Sequence, residues 1–295
     1  MDMPKELRIV LVGKNGVGKS SLANLLFGDP TFQINNLSDL ETHSTTVRTK
    51  LVGRRSLSLI DTPGFFDPCR SEEAMLPEML RCSAECAPGP HVFLIVFKVE
   101  KFIEHNKDVV AKMCQYFPKN ALKYGVIVFT HGDQLQEGTT LERYIEESGD
   151  LGDLVKKCGG RCHVVDSRYW TGDDAPADRS NRIHVAALLR TVERLVEENK
   201  GGFYSDGKIR EIGEQIQKEE ELLRATPGGM SQGDIRERAM SIVVKKHVDA
   251  AARGWGWSLA TYAFIAGVFA FISALLIRFK LMEDVKKSIL PFHEE

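Results

Sequence analysis

Short apolar runs alternate with amphipathic stretches along the first two thirds of the chain. "LRIVLV" from Leu7 is an unbroken apolar run that ends in a glycine loop, which predicts a buried strand. The "SSLANLLFG" that follows repeats apolar residues at Leu22, Leu25 and Leu26, which predicts a helix stopped by Gly28. "SLSLID" from Ser56 alternates and ends at Asp61, a second strand. "HVFLIVF" from His91 and "YGVIVFT" from Tyr124 are continuous apolar runs, as expected of strands covered on both faces. Between them Val109, Val110, Met113, Cys114 and Phe117 recur at helical intervals, and Pro118 closes the pattern. "RCHVVDS" from Arg161 predicts a further strand, and "NRIHVAALLRTVERLVEEN" from Asn181 a long amphipathic helix. This alternation predicts an α/β domain over residues 1–200, a mostly parallel sheet flanked by helices.

The pattern changes after residue 200. Lys208 to Arg224 is highly charged, with apolar residues at Ile209, Ile212, Ile216, Leu222 and Leu223. "ATPGGMSQGD" interrupts it, and "IRERAMSIVVKKHVDAAAR" resumes as a helix, so 201–253 is expected to be a helical extension. Residues 254–277 carry no charge. As a helix they would span roughly 36 Å, enough for a hydrocarbon core of about 30 Å. Trp255, Trp257 and Tyr262 cluster at one end, and Arg253 and Arg278 bracket the segment. It is expected to be a transmembrane helix, followed by a short tail over 278–295. That arrangement predicts a single-pass C-terminal anchor in membrane lipid, with the α/β domain on the cytosolic face of an intracellular membrane.

Composition narrows the picture only slightly. The 295 residues are 27% charged and 43% hydrophobic with a formal net charge of −2, which gives no electrostatic reason to expect a nucleic-acid partner. The 6 cysteines are too scattered for a disulfide framework, which fits a reducing compartment. Cys158, Cys162 and His163 have neither haem-attachment spacing nor a second ligand pair for zinc. Cys82 and Cys86, four apart, suit a buried helical face.

The candidate chemistry begins at Gly13. "GKNGVGKS" fits G-x-x-x-x-G-K-[ST] between a predicted strand and a predicted helix, the context that this phosphate-binding motif needs. Backbone N–H groups from Gly13, Lys14, Asn15, Gly16, Val17, Gly18, Lys19, Ser20 and Ser21 can converge on phosphate oxygens at the helix N-terminus. Lys19 would neutralise the β- and γ-phosphates, and Ser20 would offer its hydroxyl to Mg²⁺. Asp61 opens "DTPG" at a strand end, where its carboxylate can reach Mg²⁺ through water and Gly64 can present its N–H to a γ-phosphate. Within "HSTTVRT", Thr46, with Thr45 beside it, can close over the nucleotide and complete the metal shell. In "FTHGDQL", Asp133 stands where a carboxylate accepts from guanine N1–H and its amine and rejects adenine. Thr130 and His131 occupy the places of the usual Asn and Lys of a guanine site, with His131 able to stack on the base.

Together the P-loop, "APGPHVFLIVFKVEKFIEHN" and "FTHGDQL" resemble the GIMAP proteins, the immunity-associated GTPases, most like their members from fish. The resemblance covers about Leu7 to Asn199. It implies a P-loop GTPase domain that binds GTP or GDP with Mg²⁺, associates into dimers or oligomers through its nucleotide face, and carries helical extensions and often a membrane anchor. Within it, Lys101 stands where relatives often carry an Arg, which implies a catalytic role for Lys101 toward a partner's phosphates. Relatives pair two Asn at the base where this chain has Asp166 and Ser167, and Ser167 is carried over as a base-side residue. Phe65 follows "DTPG", where small GTPases use a Gln to orient water, so turnover is expected to be slow or partner-assisted. The alternative expectation is a GTP-dependent scaffold that does not hydrolyse.

Overall fold

The computed structural model describes residues 4–33, 45–53, 55–62, 64, 72–118, 120–170, 179–226 and 230–251. Along the chain run β1 (Glu6–Val12), α1 (Lys19–Phe27), β2 (Thr46–Val52), β3 (Arg55–Asp61), α2 (Glu72–Cys86), β4 (Val92–Lys98) and α3 (Glu104–Tyr116). There follow β5 (Gly125–Thr130), α4 (Leu141–Glu146), α5 (Gly149–Lys157), β6 (Cys162–Val164), α6 (Asn181–Glu198), α7 (Gly207–Arg224) and a helix α8 over 232–251. The strands form one sheet in the order β2-β3-β1-β4-β5-β6. All neighbours are parallel except β2 and β3, which run antiparallel.

Alternation along the strands sorts the core onto two faces. Leu7, Ile9 and Leu11 of β1 bury against Leu22 and Leu26 of α1 and Leu188, Val192 and Leu195 of α6. Val10 and Val12 point the other way, into a cluster with Phe93, Phe97, Met113, Phe117 and Phe129. Tyr204 closes that cluster: its ring lies 5.4 Å from Phe93 and 5.7 Å from Phe117, edge to face. Packing therefore continues past residue 200. Ile209, Ile212 and Ile216 of α7 are buried, and α7 packs on α2. Ile235, Ala239 and Val243 of α8 are buried at four-residue intervals, and Arg236 reaches Glu220 at 3.3 Å. One compact unit runs through Lys245 and a second from Lys246, of which only 246–251 are described.

Four elements went unmarked in the sequence: β2, α2, α4 and α5. β2 is an edge strand in which no residue is fully buried, so it has no apolar run to announce it. α2 contains Pro77, yet it buries Met75, Leu80, Cys82 and Cys86. Cys82 and Cys86 lie on one face, sulfur to sulfur 3.9 Å. Among the described residues no helix is long and apolar enough to cross a membrane. The expected transmembrane helix at 254–277, like Phe65, lies outside the described residues.

Because β1 lies between β3 and β4, the connection after β1 leads to one side of it and the later ones to the other. Such a reversal opens a crevice at the carboxyl ends of parallel strands, where α/β proteins bind ligands. The segments after β1, β3, β4, β5 and β6 all emerge at that edge.

Candidate nucleotide-binding site

The turn from β1 into α1 is held in shape by glycine. Gly18 caps the helix with φ 88°, a left-handed conformation that other residues adopt at a cost. This turns the chain so that the free N–H groups of the first helical turn face the crevice. Lys19 is buried, and its ammonium donates to the carbonyls of Gly13 at 3.1 Å and Lys14 at 2.9 Å. A charge held by loop carbonyls at a helix N-terminus is placed for an anion. Val17 is buried beneath the loop, Gly16 and Asn15 are exposed at its tip, and Ser21 sits half-buried on the first turn of α1. Lys14 pairs with Glu100 at 3.0 Å, which ties the P-loop to the segment after β4.

Ser20 and Asp61 meet across the crevice. The Ser20 hydroxyl donates to Asp61 Oδ2 at 2.5 Å. A hydroxyl and a carboxylate at this spacing are hard oxygen donors of the kind that suits Mg²⁺, so the residues present fit that ion. Thr46 is the first residue of β2 and pairs in register with Asp61, which brings it to the same corner. Its neighbour Thr45 is turned away: its N–H and hydroxyl donate to the Glu78 carboxylate of α2 at 2.7 and 3.1 Å. Gly64 is buried, and its N–H donates to Asn15 Oδ1 at 2.9 Å.

The base side is organised by hydrogen bonds that the motif did not reveal. The Thr130 hydroxyl is buried and lies 2.6 Å from the Val17 carbonyl, 3.2 Å from the Phe97 carbonyl and 3.0 Å from His131 Nδ1. It therefore fastens the β5 loop to the P-loop. His131 follows in a left-handed conformation, φ 58°, half-buried at the rim. Asp133 is half-buried and accepts from Gln134 Nε2 at 2.6 Å. Its backbone N–H donates to Asp166 Oδ2 at 3.3 Å.

Asp166 is a buried hub. Its Oδ1 accepts from the N–H groups of Arg168 at 2.8 Å and Tyr169 at 2.6 Å. Asn181, at the start of α6, accepts from the Asp166 N–H at 3.0 Å and donates to its carbonyl. Burial opposes ionisation of Asp166, but hydrogen bonds from Asp133 and from the Tyr169 and Arg168 N–H groups outweigh it and hold its pKa below the usual carboxylate value. Asp133 moves the other way: its hydrogen bond with the Asp166 carboxyl, followed by burial, pushes its pKa up. Ser167 is exposed on the turn beyond.

Lys101 is exposed in the segment between β4 and α3. With Lys98, Glu100, Gln134, Tyr144 and Glu147 it lines an open cavity of about 690 Å³. It is next in sequence to the Glu100 that holds Lys14. The C-x3-C-H cluster has local roles: Cys158 is buried, and His163 Nε2 lies 2.9 Å from the Thr191 hydroxyl. Glu78, Glu100 and Asn181 were not legible as site residues. Glu100 lies in the family stretch but carried no role there, Glu78 and Asn181 lie in no motif, and each acts through a partner that only the fold brings near.

These features define a P-loop nucleotide-binding protein of the GTPase class. The AIG1 family profile matches residues 7–223, and the chain belongs to that family. It is similar to immune-associated nucleotide-binding protein 9 of Arabidopsis thaliana, with 30% identity over 251 residues, 82% of this chain and 69% of the relative. It is similar also to human GTPase IMAP family member 8, with 32% identity over 207 residues, 65% of this chain and 29% of the relative. Among solved structures, the fold matches Toc33 of Arabidopsis thaliana in complex with Mg²⁺ and GMPPNP, with a TM-score of 0.51 and 20% identity over 67% of this chain and 86% of that one. A further match, whose subject is the importance of dimerization for the GTPase activity of the chloroplast translocon components atToc33 and psToc159, has a TM-score of 0.52 and 19% identity over 66% of this chain and 84% of that one.

Proposed function

We propose that this chain is a GTP-binding switch that hydrolyses GTP with help from a second copy of itself, and that residues 254–277 hold it at a membrane. The observation that carries the reading is the contact between Ser20 and Asp61 at 2.5 Å, beside the buried Lys19 at the mouth of α1. Lys19 would exchange loop carbonyls for the β- and γ-phosphate oxygens, and the α1 N-terminus would face the same charge. Ser20, Asp61 and Thr46 would hold Mg²⁺, which when bound neutralises charge between the β- and γ-oxygens. Asp133 would accept from guanine N1–H and its amine. Thr130 keeps that loop against the phosphate loop.

Phe65 cannot hydrogen-bond an attacking water, where small GTPases use a Gln for that purpose. Help from a second copy fits that gap. Lys101 is exposed at the nucleotide edge and next to Glu100, and dimerization matters to the GTPase activity of the Toc proteins that share this fold. The two-dimensional confinement given by a membrane anchor raises the chance that two copies meet.

The test is GTP turnover per molecule by the full chain in detergent, across a range of protein concentrations. A rate that climbs with concentration is expected. A flat, near-zero rate with firm GTP binding would favour a non-hydrolysing scaffold instead, a reading that Phe65 supports. Lys101→Arg should raise turnover only where dimers form, because a guanidinium can fork onto developing phosphate charge and an ammonium cannot. Equal turnover in two proteins that both sediment as dimers would remove Lys101 from the mechanism.

A further inference from the structure

The third P-loop residue faces the "DTPG" segment unusually closely. A Cβ placed on Gly64 would fall 2.2 Å from Asn15 Oδ1 and 2.6 Å from the Asn15 backbone nitrogen, so only glycine fits there. At this approach the buried Gly64 N–H donates to Asn15 Oδ1 at 2.9 Å. The donor fixes which way the amide points: Oδ1 must face Gly64, which leaves Nδ2 on the other side. Gly64 N–H is also the group that a γ-phosphate oxygen would need.

We propose that Asn15 is a specificity-determining residue that sets the balance between GTP and GDP by competing with the γ-phosphate for the Gly64 N–H. This rests on the reading of the crevice as a guanine-nucleotide site. With GDP, the side-chain carbonyl keeps a buried donor satisfied that would otherwise be stranded at a cost in free energy. With GTP, a charged oxygen gains the same N–H but must displace the amide, so part of its advantage is lost. The β-phosphate, held by the P-loop N–H groups and Lys19, does not need the Gly64 N–H, and any displacement of loop carbonyls from Lys19 is common to GDP and GTP. The residue type matters. A glycine offers no acceptor, whereas an aspartate offers one that also repels phosphate. The asparagine is a neutral acceptor that gives way.

The experiment measures the affinities of the full chain for GDP and GMPPNP with Mg²⁺ present. Asn15→Ala removes the competitor, and the affinity ratio of GMPPNP to GDP is expected to rise about tenfold. Asn15→Asp keeps an acceptor but adds charge, and the ratio is expected to fall below that of the wild type. A ratio unchanged in Asn15→Ala, or an equal loss of both nucleotides in that variant, would overturn the proposal and leave Asn15 as a structural residue of the loop. A wild-type chain that binds neither nucleotide overturns the site reading and this proposal with it. That result is distinct from the other two, which both require a wild type that binds.

Discussion

The two ends of the crevice are built on different logic. At the phosphate end, a glycine-shaped loop, one lysine, one serine and one aspartate lie in contiguous motifs. Their contacts join residues that the motifs already name: Lys19 sits on carbonyls five and six residues before it, and Ser20 meets Asp61, 41 residues on, from the next motif. At the base end, only Asp133 has the expected identity. The loop is held instead by Thr130 on the P-loop carbonyl of Val17 and by Asp166 on three backbone N–H groups. The phosphate end is thus specified by backbone conformation, which few residue types can supply. The base end is specified by a network, which many combinations can supply.

Lys19→Ala should have the largest effect. It removes the buried ammonium at the mouth of α1, and nucleotide affinity should fall by about two to three orders of magnitude while the circular dichroism spectrum stays unchanged. Calorimetry that finds wild-type affinity would show that the phosphate end is not where nucleotide binds.

Asp166→Ala probes the network at the other end. Three N–H groups lose their acceptor, so GDP affinity should fall by about tenfold or more through disorder of the Asp133 loop. Asp166→Asn keeps an acceptor oxygen and should recover much of that loss. An alanine variant as good as the wild type would mean that Asp133 needs no support from β6.

The smallest effect separates the nucleotide edge from the opposite edge of the sheet. His91 is buried behind β1, where its Nδ1 accepts from the Arg8 N–H at 3.0 Å. Burial, then the Arg8 charge, lower its pKa from 6.5 to about 4. For His163, burial and then the charges of His184, Arg194 and Arg190 also lower it to about 4. Both rings are neutral when folded, and the unfolded chain takes up their protons first as pH falls. Stability should therefore be intact above pH 6.5 and decline between 6.5 and 4, by at most about 1.4 kcal/mol per pH unit for each ring. Contact with water makes the real slope gentler. Urea melts at pH 7 and pH 5 measure this, and His163→Asn should flatten the dependence. A midpoint that does not move with pH would mean that neither ring is buried neutral.

How much of this was legible from the sequence follows the same divide. β1, β4 and β5 are buried on both faces, so their apolar runs announced them, and the motifs after β1 and β3 fell where expected. β2 left no trace because an edge strand buries little, and its first residue, Thr46, read only as part of a loop. Asp166 could be located but not understood, since its role depends on Asp133, Arg168, Tyr169 and Asn181 converging in space. Glu78 could not be found at all, and Glu100 stood in the family stretch without a role, because a glutamate that binds a distant backbone or lysine looks like any surface glutamate.

The central claim, that the carboxyl edge of this sheet is a guanine site read by Asp133, is tested most directly by exchanging the base. Asp133→Asn should weaken GTP binding by about two orders of magnitude and should favour XTP, whose 2-oxo group accepts from an amide where guanine's amine cannot. Competition between GTP and XTP for the wild type and the variant gives the result in one titration. A reversal of preference is expected. Unchanged affinities for both nucleotides would contradict the assignment of Asp133 and, with it, the guanine site.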